Sequence, residues 1–125
     1  MILGIGTDLV DVGRFCRVTE RHGEGLLERL FWPAEIEACR RMRRPCEHLA
    51  ARFAAREALL KALGTGLVGP MSWRDMEVVP GQAPGVHVIE VRGAVREQLD
   101  SLGAARLLLA MTTTREVAAA TVLIL

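Results

Sequence analysis

The chain has 125 residues, half hydrophobic and a quarter charged, with 16 Lys and Arg against 15 Asp and Glu. That length suits one domain with its own core, and the hydrophobic content excludes a disordered chain. The near balance of charge argues against a protein that binds nucleic acid over its whole surface.

Cys16, Cys39 and Cys46 are odd in number and lack C-x-x-C spacing, so they read as reduced thiols. The opening Met1–Asp8 has no basic leader and meets an acid at its end, unlike a signal peptide. No stretch is long and apolar enough to cross a bilayer. A single cytoplasmic domain over residues 1–125, with no membrane partner, is the expectation.

Residues 2–10 read as a strand. Side chains alternate along it, so Gly4, Gly6 and Asp8 share one face. Two absent side chains beside a carboxylate leave room for another backbone or a ligand. Residues 11–44 read as helices, with Phe15 and Val18 on one side and a fresh start at Pro33. Residues 46–63 give the strongest helix signal, rich in Ala and Leu. Leu49, Phe53, Leu60 and Leu63 form an apolar stripe. Ala50, Ala54, Ala58 and Ala62 form a smooth face that permits close approach. Arg56 falls near the apolar stripe and is expected to snorkel or pair with an acid. Gly64 ends the helix, and Gly64-Thr65-Gly66 follows as a loop.

Trp73–Val79 and Val86–Val91 read as strands joined by a Pro/Gly turn. Gly93–Ser101 reads as a helix. Residues 106–112 and 117–124 read as a last pair of strands. This order predicts an α+β fold, with a mainly antiparallel sheet packed on a long central helix.

Glu57 and Lys61 are four apart on that helix and share a face. One reading is a surface ion pair, contributing about 0.2–0.5 kcal/mol. The other is a carboxylate and an ammonium aimed into one cleft. Asp8 is either a strand-end acid or the second carboxylate of a Mg2+ site, since magnesium takes one or two carboxylates with phosphates and waters. Arg14, Arg17 and Arg21 line one helix face, and Arg40, Arg41, Arg43 and Arg44 form a second group. Each is either a solvated face or a docking patch for an acidic partner. Nucleic acid is disfavoured, because the chain lacks tyrosine and has few other aromatics for stacking. Gly4-x-Gly6 is not a dinucleotide fingerprint, since Leu9 holds the third glycine position. His22, His48 and His87 are scattered and read as structural or surface residues.

Two segments together resemble the bacterial holo-acyl-carrier-protein synthases. They are Ile2-Leu3-Gly4-Ile5-Gly6-Thr7-Asp8-Leu9-Val10 and the run from Arg52 to Gly66, Arg-Phe-Ala-Ala-Arg-Glu-Ala-Leu-Leu-Lys-Ala-Leu-Gly-Thr-Gly. Weaker similarity lies in Arg29–Phe31 with Glu35, in 73–79 and in 115–120. The resemblance implies transfer of 4′-phosphopantetheine from coenzyme A to a serine of an acidic acyl carrier protein. It implies Asp8 and Glu57 as Mg2+ ligands, and Glu57 and Lys61 as catalytic residues. Arg52, Gly64, Thr65 and Gly66 would bind substrate, and Arg14, Arg17 and Arg21 would face the carrier. It also implies a homotrimer with sites between subunits. The chain departs from the family pattern at Arg56, usually lysine, and at Thr112-Thr113-Thr114, commonly Ser-His-Thr. A module that binds the carrier or coenzyme A without catalysis is the alternative.

Overall fold

The computed structural model describes residues 1–125. In chain order it forms β1 (Gly4–Asp11), α1 (Val12–His22), α2 (Glu24–Leu30), α3 (Pro33–Arg40), α4 (Pro45–Leu63), β2 (Met76–Pro80), β3 (His87–Val91), α5 (Gly93–Ser101), β4 (Leu107–Thr113) and β5 (Val117–Ile124). The expected α+β architecture is present, with the antiparallel strands divided between two sheets. One has the order β1-β5-β4 and the other is the β2-β3 hairpin.

The alanine face of α4 decides how that helix sits. A Cβ on Gly6 would lie 1.9 Å from the Ala58 carbonyl oxygen, and one on Gly4 would lie 2.4 Å from that of Ala62. Missing side chains on β1 therefore meet short ones on α4, and strand and helix backbones touch. The room predicted beside Asp8 is filled by backbone at Gly4 and Gly6. With the sheet against it, α4 is buried over most of its circumference rather than along one stripe, with the face of Phe53, Glu57 and Lys61 left partly open. Ala50, Ala54, Ala58 and Leu59 have no exposed surface. Leu49, Leu60 and Leu63 are buried as expected, while Phe53 is half-buried.

Two apolar clusters share this helix. The larger holds the second half of α4 between the three-stranded sheet, the hairpin and α5. The smaller packs the first half of α4 against α1, α2 and α3, with Phe15, Phe31 and Ile36. Between them lies a buried ion pair. Arg56 donates through Nη1 to Glu35 Oε2 at 2.8 Å and through Nη2 to Oε1 at 2.5 Å. It also donates to the carbonyls of Trp73 and Met76. Glu35 in turn accepts from the backbone N–H of Trp32 and Val78. Every arm of the pair is matched, as burial of charge requires. Arg56 thus pairs with an acid instead of reaching solvent.

Two expectations are corrected here. Residues 73–75 form a turn of 3-10 helix instead of the start of a strand. The Ser72 hydroxyl accepts from the backbone N–H of Arg74, and the Asp75 carboxylate accepts from that of Ser72. Such local bonding outcompetes a strand ladder. Cys16 and Cys46, expected as free thiols, form a disulfide, with Cα atoms 5.9 Å apart. Packing of α1 on the start of α4 brings them together across 30 positions, where no spacing motif could reveal it. Cys39 alone is free and is buried, and burial pushes its thiol up to about 11.

Candidate active site

Asp8 lies on the α4-facing side of β1, and Glu57 and Lys61 lie one turn apart on α4. The contact of Gly6 with Ala58 sets these elements side by side, so the three groups meet. Lys61 Nζ donates to Asp8 Oδ1 at 2.7 Å, with Asp8 mostly buried and Lys61 half exposed. The hydrogen bond to Asp8, reinforced by its charge, raises the Lys61 ammonium above its ordinary pKa. Glu57 is also raised, first by desolvation and then by the nearby Asp8 charge, against a lowering pull from Lys61. The two carboxylates and the ammonium form one charged cluster, in which the Asp8 charge opposes ionisation of Glu57.

These groups stand at one end of a cleft of about 680 Å3 that also holds Asp11 and Arg14, a volume typical of small-molecule sites. Asp11 accepts a hydrogen bond from the backbone N–H of Arg14 at 2.9 Å and caps α1, which fixes the start of the helix that carries Arg14. Apart from Thr19 the rest of the wall is apolar, chiefly from Phe15, Val18, Leu26, Leu30, Phe53 and Trp73. Phe53 bridges it, with ring centroids 5.6 Å from Phe15 and 5.2 Å from Trp73. Sequence reading missed this apolar wall and Asp11. The capping position of Asp11 was the available signal, whereas the wall is assembled from four separate segments.

The remaining predicted residues lie outside the cleft. Arg17 and Arg21 are exposed further along α1. Gly64 and Gly66 take positive φ values of 79° and 67° in the loop after α4, and the Thr65 hydroxyl donates to the Gly66 carbonyl. Arg52 is buried, with Nη1 donating to the His48 carbonyl at 3.3 Å and Nε lacking any partner. The His87 imidazole is held below its usual pKa, chiefly by burial and then by the charges of Arg52 and His48. His48 and His87 are therefore not scattered, because folding gathers them around Arg52. In the second arginine group, Arg40 pairs with Glu24, Arg41 with Glu37 and Arg44 with Glu47. That group is largely engaged by local acids.

The model of the 4′-phosphopantetheinyl transferase superfamily matches residues 4–120. The chain belongs to that superfamily. Among transferases of known name, the holo-[acyl-carrier-protein] synthase of Koribacter versatilis is 40% identical over 125 residues, covering 99% of this chain and 98% of its own. That of Geotalea daltonii is 51% identical over 79 residues, which span 63% of each chain. The crystal structure of the Neisseria meningitidis synthase superposes with a TM-score of 0.88 at 33% identity, covering 100% of this chain and 99% of that one. The Helicobacter pylori synthase, solved in complex with coenzyme A, gives 0.84 at 26% identity, covering 97% and 99%.

Proposed function

We propose that the protein is a holo-acyl-carrier-protein synthase, transferring 4′-phosphopantetheine from coenzyme A to a serine of an apo acyl carrier protein and releasing 3′,5′-ADP. The observation that carries this is the meeting of Asp8, Glu57 and Lys61 in the lining of one cleft. It is joined to a superfamily match over almost the whole chain.

The donor set suits Mg2+, with two oxygen ligands from protein and open positions for phosphate and water. Asp8 and Glu57 would hold the ion, which supplies charge neutralisation at the phosphorus under attack. Lys61 would let go of Asp8 and meet the leaving phosphate, whose negative charge favours the protonated ammonium. Glu57 would take the serine proton directly or through a water. Arg14 would position the acidic carrier at the rim. Arg52, with its unpartnered Nε beside His48 and His87, would contribute to phosphate binding together with the Gly64–Gly66 backbone.

A homotrimer fits the bare face of the three-stranded sheet. Ile5, Leu9 and Leu108 point away from α4 and are 65%, 73% and 41% exposed. The pairing register sets Ile5, Leu123 and Leu108 in one row, and Thr7, Thr121 and Ala110 in the next. No charge interrupts these two rows, as at a buried assembly surface. No helix is long and apolar enough to cross a membrane, and we place the protein in the cytoplasm.

Mass spectrometry of an apo carrier incubated with coenzyme A and Mg2+ tests the reading. The expected result is a carrier heavier by one phosphopantetheine group, dependent on Mg2+. Carrier binding without any mass change, while a competent synthase works on the same carrier, would favour a non-catalytic module instead.

A further inference from the structure

A second groove lies where α1 meets the start of α4. It is a shallow, open groove of about 450 Å3, lined by Val12, Cys16, Arg44, Cys46, Glu47 and Arg115. Both cysteines of the disulfide thus line the groove, and both are half-buried rather than enclosed. Two arginines, Arg44 and Arg115, line the same groove. Arg115 has no ion-pair partner, and Arg44 has only Glu47 at 3.8 Å. Arg44 is also the one non-glycine residue with positive φ, at 54°, so the turn entering α4 is held in a conformation that side chains disfavour.

We propose that Cys16–Cys46 is a thiol–disulfide exchange site that takes a small thiol bearing carboxylates, of the glutathione kind, and that opening it frees α1 from α4. The arginines draw an anionic thiol into the groove. Its thiolate attacks Cys16 Sγ, forming a mixed disulfide, and the Cys16–Cys46 bond breaks. Cys46 departs as a thiolate, its charge stabilised by Arg44 and by the free backbone N–H groups of the first turn of α4. The departing sulfur is the one that better bears charge. A second thiol then removes the first. Two protein thiols and one small-molecule disulfide result, and that disulfide drives the reverse reaction.

Cys16 and Cys46 form the only disulfide in the chain, and so the sole cross-link between α1 and α4. The helix α1 brings Arg14 and Phe15 to the cleft, whereas Asp8 comes from β1 and Glu57 and Lys61 from further along α4. Opening the bond therefore loosens the carrier-facing wall and leaves the acid–lysine centre in place. This consequence for transfer rests on the proposed function; the exchange chemistry does not.

Oxidised protein is incubated with reduced glutathione and followed by intact-mass spectrometry with peptide mapping. A transient single adduct on Cys16 is expected, then two free thiols, with buried Cys39 unmodified. Replacing Arg44 and Arg115 together by Gln slows the reaction with glutathione several-fold but not that with uncharged mercaptoethanol. Hydrogen exchange over residues 12–22 rises on reduction, whether or not transfer is assayed. With carrier protein, reduction raises KM and leaves kcat unchanged, and Cys16→Ser reproduces this. Resistance of the folded protein to millimolar glutathione, equal slowing with both thiols, or unchanged exchange in residues 12–22 would overturn the proposal. If transfer is absent but the exchange results hold, only the functional reading falls.

Discussion

Gly6 and Ala58 are in backbone contact, with the strand α-carbon facing the helix carbonyl so closely that a Cβ would fall 1.9 Å from its oxygen. This contact sets the separation of β1 and α4, and with it the separation of Asp8 from Glu57 and Lys61. Gly6→Ala should therefore destabilise the fold by about 3 kcal/mol or more, as overpacking against backbone does. It should also cost activity in whatever fraction stays folded. Chemical denaturation and transfer assays on the soluble fraction check both.

Glu57 behaves unlike a stabilising carboxylate. Its folded pKa is raised above 4.5, so between 4.5 and the folded value the native state binds more protons than the unfolded one. Stability falls as pH rises through that window, and the ionised group costs stability at neutral pH. Glu57→Gln should abolish transfer while leaving Tm equal or higher, and should flatten the pH dependence of Tm in that window. Calorimetry from pH 4 to 8 decides it. A marked drop in Tm would contradict the electrostatic account.

The Arg56–Glu35 pair predicts the opposite balance. Glu35→Ala strands a buried guanidinium, at a cost of about 3–5 kcal/mol, and leaves the Val78 and Trp32 N–H groups without their acceptor. The double change Glu35→Leu with Arg56→Met should cost clearly less than the sum of the single changes. Urea titration of the four proteins measures the difference.

Ile5→Asp with Leu9→Asp should yield a monomer on size-exclusion chromatography, with transfer lost if the sites lie between subunits. Both side chains are exposed on β1, so helical circular dichroism should persist. A variant that keeps the wild-type elution volume would exclude the sheet face as the assembly surface.

Much of this was legible in the sequence because it depends on local periodicity. The alternation of Gly4, Gly6 and Asp8 gave the strand face, and the four-residue recurrence of alanine gave the helix face it meets. The four-residue step from Glu57 to Lys61 gave the shared direction of those side chains. What stayed hidden is long-range. Arg56 read as either snorkelling or pairing with an acid, and nothing named Glu35, 21 positions earlier, as its partner. The gathering of His48 and His87 near Arg52, the pairing of Cys16 with Cys46, and the aromatic wall from Phe15 to Trp73 likewise arise only when separate segments pack. The 3-10 turn at 73–75 was misread because apolar residues around it mimic a strand, while Ser72 and Asp75 supply the competing bonds.

Since α4 contributes its first half to one apolar cluster and its second half to the other, neither can melt while the other persists without breaking this shared helix. Heating should accordingly show one cooperative transition, in which loss of the helices and of the sheets coincides, and no partly folded species that keeps only one half of the molecule.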